Sequence, residues 1–175
     1  MLVRRGTLRL LKMLKIKNSL LLFGILLCLT SCDDKRVFDE YASLNGRWNR
    51  DSIVSFEFEH KDTLSKYDLF INIRNNNSYP YSNLFLIVEM EQPGTRLAKS
   101  DTLEYMMANP DGSLLGEGFT DIKENKLWYK KNMSFPKAGL YRVSIQQAVR
   151  KANEVPGVEE LEGITDVGFR IESTE

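Results

Sequence analysis

The only histidine of this chain, His60, stands two residues before Asp62. An imidazole beside a carboxylate is half of a general-base pair, but a hydrolase also needs a positioned nucleophile. No Gly-x-Ser-x-Gly and no His-Glu-x-x-His segment occurs, and one histidine does not build the usual zinc sites. His60 therefore reads as a structural or solvent-exposed residue. Gly112, Gly116 and Gly118 have the look of a phosphate loop, yet their spacing fits neither the dinucleotide nor the P-loop pattern, so they read as turn glycines. Paired carboxylates occur at Glu57/Glu59 and Glu159/Glu160, the first pair on one face of a predicted strand. Glycoside hydrolysis needs two such groups facing each other across a cleft, and pairs along one chain segment are ordinarily solvated faces. Neither an enzyme nor a cofactor or metal site is expected.

Binding chemistry has better candidates. Trp48, Trp128, Tyr79 and Tyr81 are aromatic surfaces on which a sugar could stack, and Tyr79-Pro80-Tyr81 falls in a predicted loop, where binding residues concentrate. The competing reading makes Trp48 and Trp128 core residues, which is preferred for the tryptophans, and lets Tyr79, Pro80, Tyr81 and Asn83 pack a turn. Asp51-Ser52-Ile53, Asp62-Thr63-Leu64 and Asp101-Thr102-Leu103 share one pattern. It resembles the Asp-Ser/Thr-aliphatic sites of O-glycosylation on exported proteins, which makes Ser52, Thr63 and Thr102 candidate attachment points.

The most specific chemistry lies near the N-terminus. Residues 20–29 form a run of ten apolar residues closed by Leu29-Thr30-Ser31-Cys32, and ahead of it stand Arg4, Arg5, Arg9, Lys12, Lys15 and Lys17 with no acid. A basic region, a short apolar region and small residues before a cut describe a secretory signal peptide. About ten apolar residues are too few to cross a bilayer, which takes roughly 20 in a helix. The closing tetrapeptide resembles the lipobox of bacterial lipoproteins, in which the cysteine becomes the acylated N-terminus. Cys32 is accordingly the expected lipid attachment site, with residues 1–31 removed and Met13 an alternative start. Residues 32–46, opening with Asp33-Asp34-Lys35-Arg36, read as a tether, and 47–175 as the folded domain.

The whole chain balances 24 basic against 24 acidic residues, but six of the basic ones lie in the signal. The part that remains has 18 basic against 24 acidic, a formal charge of −6. That sign argues against nucleic acid as a partner. The two cysteines are Cys28, within the apolar run, and Cys32, so no disulfide or thiolate-held metal is available after residue 32. About 140 residues suffice for one hydrophobic core and not for two ordinary domains.

From residue 52 the pattern has a period of two. Val54, Phe56 and Phe58 alternate with Ser55, Glu57 and Glu59, and Tyr67, Leu69, Ile71 and Ile73 alternate with Asp68, Phe70, Asn72 and Arg74. Residues 75–80, Asn-Asn-Asn-Ser-Tyr-Pro, break the ladder. Residues 83–91 have a continuous apolar middle from Leu84 to Val88, as expected of a strand buried on both faces. Further strands are expected at 102–108, 126–130, 140–149 and 164–172, with a helical turn within 155–163. Seven or eight short strands separated by turn signals predict an all-β antiparallel sandwich with little helix.

Several of these stretches also resemble a known family. The lipobox, Trp48, Phe56-Glu57-Phe58, Ile73-Arg74-Asn75-Asn76 leading to Tyr79-Pro80-Tyr81-Ser82-Asn83-Leu84, and the closing Gly163-Ile164-Thr165-Asp166-Val167-Gly168-Phe169-Arg170-Ile171-Glu172 are similar to the gliding-motility lipoprotein family GldH. The resemblance implies a non-catalytic lipoprotein of the cell envelope, held to a membrane, the outer one before the inner, by its N-terminal lipid. It further implies other envelope proteins of the gliding and linked secretion apparatus as partners; a glycan is the alternative. It supplies no cofactor and no catalytic residue, and only Cys32 carries over as a functional position.

Overall fold

The computed structural model describes residues 33–92, 94, 99–118, 120–151 and 155–174. Among them are ten strands and no helix, arranged as two four-stranded antiparallel sheets and a two-stranded ribbon. The first sheet has the order β1 (Arg36–Ser43), β10 (Ile164–Ser173), β4 (Tyr67–Asn75), β7 (Lys123–Met133). The second runs β3 (Val54–His60), β8 (Gly139–Gln147), β5 (Asn83–Glu91), β6 (Lys99–Met106). The ribbon pairs β2 (Arg47–Asn49) with β9 (Glu160–Glu162). This is the predicted all-β sandwich, with more strands than the seven or eight expected.

The alternation in the sequence becomes the division between core and solvent. Along β3, Val54, Phe56, Phe58 and His60 are buried while Ser55, Glu57 and Glu59 are exposed. On β8, Tyr141, Val143 and Ile145 point inward, and on β10 Val167, Phe169 and Ile171 do. The centre of the core is aromatic. Phe58 lies 5.4 Å from Phe38, 5.6 Å from both Phe135 and Tyr141, and 6.1 Å from Phe169 between ring centroids. Rings at these separations, here two stacked pairs, one tilted and one edge-on, add about 0.5–1.5 kcal/mol per pair beyond the area they bury.

Three segments differ from the expectation. The stretch 32–46, expected as a tether, contains β1, which pairs with β10 from Arg36↔Glu172 to Ser43↔Asp166. Its register shifts between Arg36 and Phe38, which disrupts the period-two pattern, and as an edge strand it is only partly covered. The compact unit accordingly begins at Lys35 rather than at residue 47. The stretch 155–163, expected to hold a helical turn, forms β9, whose Leu161 faces Trp48 across the ribbon and is completely buried. Three residues of strand show too little periodicity to be told from a turn. On β5, Leu84, Leu86, Val88 and Met90 are buried, but Phe85 and Ile87 on the opposite face are only partly covered.

The two sheets are fastened along one side by side chains that cross from β6 to β7. The Tyr105 hydroxyl donates to the Trp128 carbonyl at 2.7 Å, and Asp101 accepts from Tyr129 Oη at 2.9 Å and Lys130 Nζ at 2.7 Å. Burial pushes the Tyr105 phenol up to about 12, so it stays a donor at any physiological pH. Satisfying a carbonyl on an outermost strand in this way also blunts an edge that would otherwise pair with another chain.

Candidate functional site

The segment 75–84 is a tightly bonded turn rather than an open loop. Asn76 Oδ1 accepts from the Ser78 amide at 2.9 Å, and the Asn76 carbonyl accepts from the Tyr79 amide at 3.1 Å. Tyr79 is buried, and its hydroxyl donates 2.7 Å to the Asn83 carbonyl, closing the turn on itself. Burial, with Tyr81 as the second cause, pushes the Tyr79 phenol well above its ordinary value. Tyr81 sits edge-on to Tyr79 at 6.0 Å, half-buried, and with the exposed Pro80 lines a shallow hollow that Val158 and Glu159 also border. Asn83 turns its side chain away to Glu104 Oε1 at 2.8 Å. Of the four residues predicted for an interaction loop, only Tyr79 is buried; Pro80 is exposed, and Tyr81 and Asn83 are partly covered. Tyr79→Phe is expected to cost about 1 kcal/mol in urea unfolding, because it removes one hydrogen bond and leaves a carbonyl unsatisfied.

His60 is buried between Tyr67, whose ring is 4.8 Å away, and Phe135, at 4.4 Å. Its Nε2 bonds the backbone carbonyl of Asp62. The Asp62 carboxylate is engaged elsewhere, accepting from the amides of Leu64 at 2.8 Å and Ser65 at 3.2 Å and from the Tyr67 hydroxyl at 3.2 Å. Bonds from Ser65 and Leu64 hold that carboxyl far below the usual range. No imidazole–carboxylate pair forms, and His60 is a core residue.

The other predicted groups are dispersed. Glu57 is bound by Arg142 Nη2 at 2.6 Å on an exposed sheet face, and Glu160 accepts from Asn49. Gly112 closes a turn onto the Asn109 carbonyl, and Gly116 and Gly118 flank a bridge between Glu117 and Glu124 on the β7 edge. Trp48 is fully buried, with its indole N–H donating 2.9 Å to the Ser52 carbonyl. Trp128, by contrast, is not the expected core residue: it is 46% exposed. In Leu127-Trp128-Tyr129 either phase of the alternation is apolar. The structure turns Leu127 and Tyr129 partly inward and leaves Trp128 beside Phe70 at 4.4 Å, with the Lys131 ammonium 4.2 Å from its ring. Ser52, Thr63 and Thr102 are all exposed, and Cys32 lies outside the described residues.

A feature that the sequence did not signal lies on the outer face of the β1-β10-β4-β7 sheet. Arg170 donates 2.7 Å to Asp39 and 2.6 Å to Glu172, which also accepts from Lys126 at 2.7 Å. Beside this chain, Tyr41 donates 2.7 Å to Glu124, accepts from Asn72 at 2.8 Å, and lies under the Arg74 guanidinium at 4.1 Å. Gly168 makes room for the Tyr41 ring, since a Cβ there would come within 2.8 Å of it. Burial works against the Glu124 carboxylate, but hydrogen bonds from Tyr41 and Arg74 outweigh it and hold the group below its ordinary range. Only the alternation of Asp166, Arg170 and Glu172 with apolar residues hinted at this network; its partners come from strands distant in sequence. Tyr41→Phe breaks both the Glu124 and the Asn72 bonds and is expected to cost about 1–3 kcal/mol by the same measurement.

These surfaces hold no nucleophile–base pair, and among the described residues no group of carboxylates, cysteines and histidines could hold a metal ion. Relatedness carries more weight. The chain is 57% identical over 159 residues to the gliding motility lipoprotein GldH of Flavobacterium johnsoniae, spanning 91% of this chain and 98% of that protein. It is 58% identical over 154 residues to a gliding motility lipoprotein GldH homolog of Christiangramia forsetii, spanning 88% and 93%. Residues 36–171, from the first residue of β1 to near the end of β10, match the model of the GldH lipoproteins, and the chain belongs to that family.

Proposed function

We propose that this protein is a membrane-anchored lipoprotein of the cell envelope that serves gliding motility, and the secretion machinery linked to it, by binding other envelope proteins rather than by catalysis. The observation that carries this reading is the match to the GldH lipoproteins along nearly the whole domain. In this proposal residues 1–31 are the signal peptide, Cys32 carries the lipid, and the outer membrane is its place. Pro80, Tyr81 and the partly covered Asn83 form one contact point, with the buried Tyr79 bracing them. Ser52 and Thr63, both exposed, are the proposed O-glycosylation positions, whereas Thr102 borders the hollow over Ile87 and is left out of them. Intact-mass measurement of the native protein should then exceed the lipidated polypeptide by whole glycan increments; a mass equal to polypeptide plus lipid removes them.

The glycan-binding alternative loses Tyr79 and Trp48, which are buried away from any sugar, and keeps only Trp128 and Tyr81 as accessible rings; the match to the GldH lipoproteins lends it no support. The test of the main reading is Cys32→Ala. Stable anchoring requires more than one acyl chain, and the variant has none. Its product should move from the membrane to the soluble fraction, and gliding or secretion in a host that depends on the protein should fail with it. Full function from a soluble product contradicts the proposal.

A further inference from the structure

An antiparallel sheet with one face on the core and one in water alternates apolar with polar residues. Both β3 and β8 obey this, with Ser55, Glu57 and Glu59 on one and Arg142, Ser144 and Gln146 on the other facing out. Between β8 and β6, β5 does not: its outward residues include Phe85 and Ile87. Phe85 lies beside Ala148, whose amide donates to the Phe85 carbonyl at 2.8 Å, and Ile87 pairs with Thr102 on β6 and Gln146 on β8. Phe85, Ile87, Thr102, Ala148 and Arg150 line an open hollow of about 410 Å³. A second hollow, of about 220 Å³, shares Ile87, Ala148 and Arg150 and extends the first toward Arg50.

The charges around the groove are unequal. Arg150 is exposed and makes no ion pair with any carboxylate among the described residues. Among the described residues, the only carboxylate paired with Arg50 is that of its chain neighbour Asp51, at 3.4 Å. Two residues beyond Ile87, the exposed Glu89 puts a negative charge at one end, and Glu104, opposite Phe85 and accepting only from the neutral Asn83 amide, puts one at the other. The groove thus has an apolar floor, a cationic side and a carboxylate at each end.

We infer that this groove on the outer face of the β3-β8-β5-β6 sheet binds a segment of a partner protein that places an aliphatic or aromatic side chain over Phe85 and Ile87 and a carboxylate against Arg150. Burying that side chain supplies the affinity, and the unpaired guanidinium, with Glu89 and Glu104 repelling a carboxylate from the two ends, fixes the side on which the partner's acid lies. The inference gives a partner chemistry to the binding role proposed above. Its test involves neither Cys32 nor motility, so each can fail without the other.

The experiment presents the full chain, purified in detergent, to immobilised synthetic peptides that contain Leu-x-Asp, Leu-x-Lys or Ala-x-Asp at the same position. The wild type should prefer Leu-x-Asp over each of the others by at least about tenfold, or 1.4 kcal/mol. Arg150→Glu should reverse the preference between Asp and Lys, and Ile87→Glu should abolish binding while leaving the circular dichroism and urea midpoint close to wild type. Equal binding of all three peptides, no binding of any, or an unchanged preference in Arg150→Glu overturns the inference. Sedimentation of the same samples addresses the other occupant. Self-association of the wild type that Ile87→Glu abolishes would make the face a contact between two copies and would equally overturn it.

Discussion

Replacing Gly163 by alanine should cost about 4 kcal/mol or more, a large part of the 5–15 kcal/mol that stabilises a domain of this kind. Gly163 joins β9 to β10 at φ +86°, where a side chain costs about 1–2 kcal/mol by itself. The larger contribution is steric. A Cβ would lie 2.3 Å from the Tyr79 amide nitrogen, 2.5 Å from its Cα and 2.8 Å from the Ser78 carbonyl carbon. These are backbone atoms, so no rotamer change relieves the overlap and the turn at 75–79 must move. Moving it strains two hydrogen bonds, Gly163 N–H to the Gly46 carbonyl at 2.9 Å and Asn76 N–H to the Gly163 carbonyl at 2.8 Å, each worth about 1 kcal/mol. Gly112 is the internal control, having the same φ of +86° and no atom within 4 Å of its Cβ position. Gly112→Ala should therefore show only the conformational cost. Urea midpoints of the two variants measured together separate strain from overlap, and equal midpoints would mean that the turn is not held against Gly163.

The second large effect is expected for Phe58→Ala, at about 3–5 kcal/mol, with a fall of about 10–20 °C in the thermal midpoint. Phe58 contacts rings from both sheets and from the segment preceding β8, so its removal leaves a cavity that no single element can collapse to fill. The same truncation at Phe85 should cost roughly 1 kcal/mol, because its ring is only partly covered and rests on one sheet alone.

The parts of the fold that could be read from the residues are those in which one chemical pattern decides one structural outcome. Alternation over seven residues of β3 or nine of β8 permits only one register, since a slip of one residue would turn every phenylalanine outward. Where the pattern is short or two-sided, pairing with distant strands decides instead. β1 is defined by β10, more than a hundred residues later, and β9 by three residues opposite Trp48. The same distinction governs the candidate sites. Asn76 and Pro80 mark the turn, but whether Tyr79 faces water or core depends on the Asn83 carbonyl and Gly163, which local composition does not encode. Trp128 could have taken either side of β7, and Phe70 across the ladder receives it on the outer one. The Arg170–Asp39–Glu172–Lys126 chain needs residues from three strands and has no linear signature. His60 could be set aside as a catalyst for want of companions, and the structure gives it a packing role instead.

That β1 starts at Arg36 also limits the distance over which the protein can act. The Lys35 carbonyl is already tied to the Ser173 amide at 2.8 Å, so only Asp33 and Asp34 stand between the sandwich and Cys32. Three steps of extended chain span about 10 Å. With a lipid on Cys32, as proposed, such a leash would hold the domain in a thin layer at the bilayer surface, where encounters would be a two-dimensional search. Partners sharing that surface would then meet it at a high effective concentration.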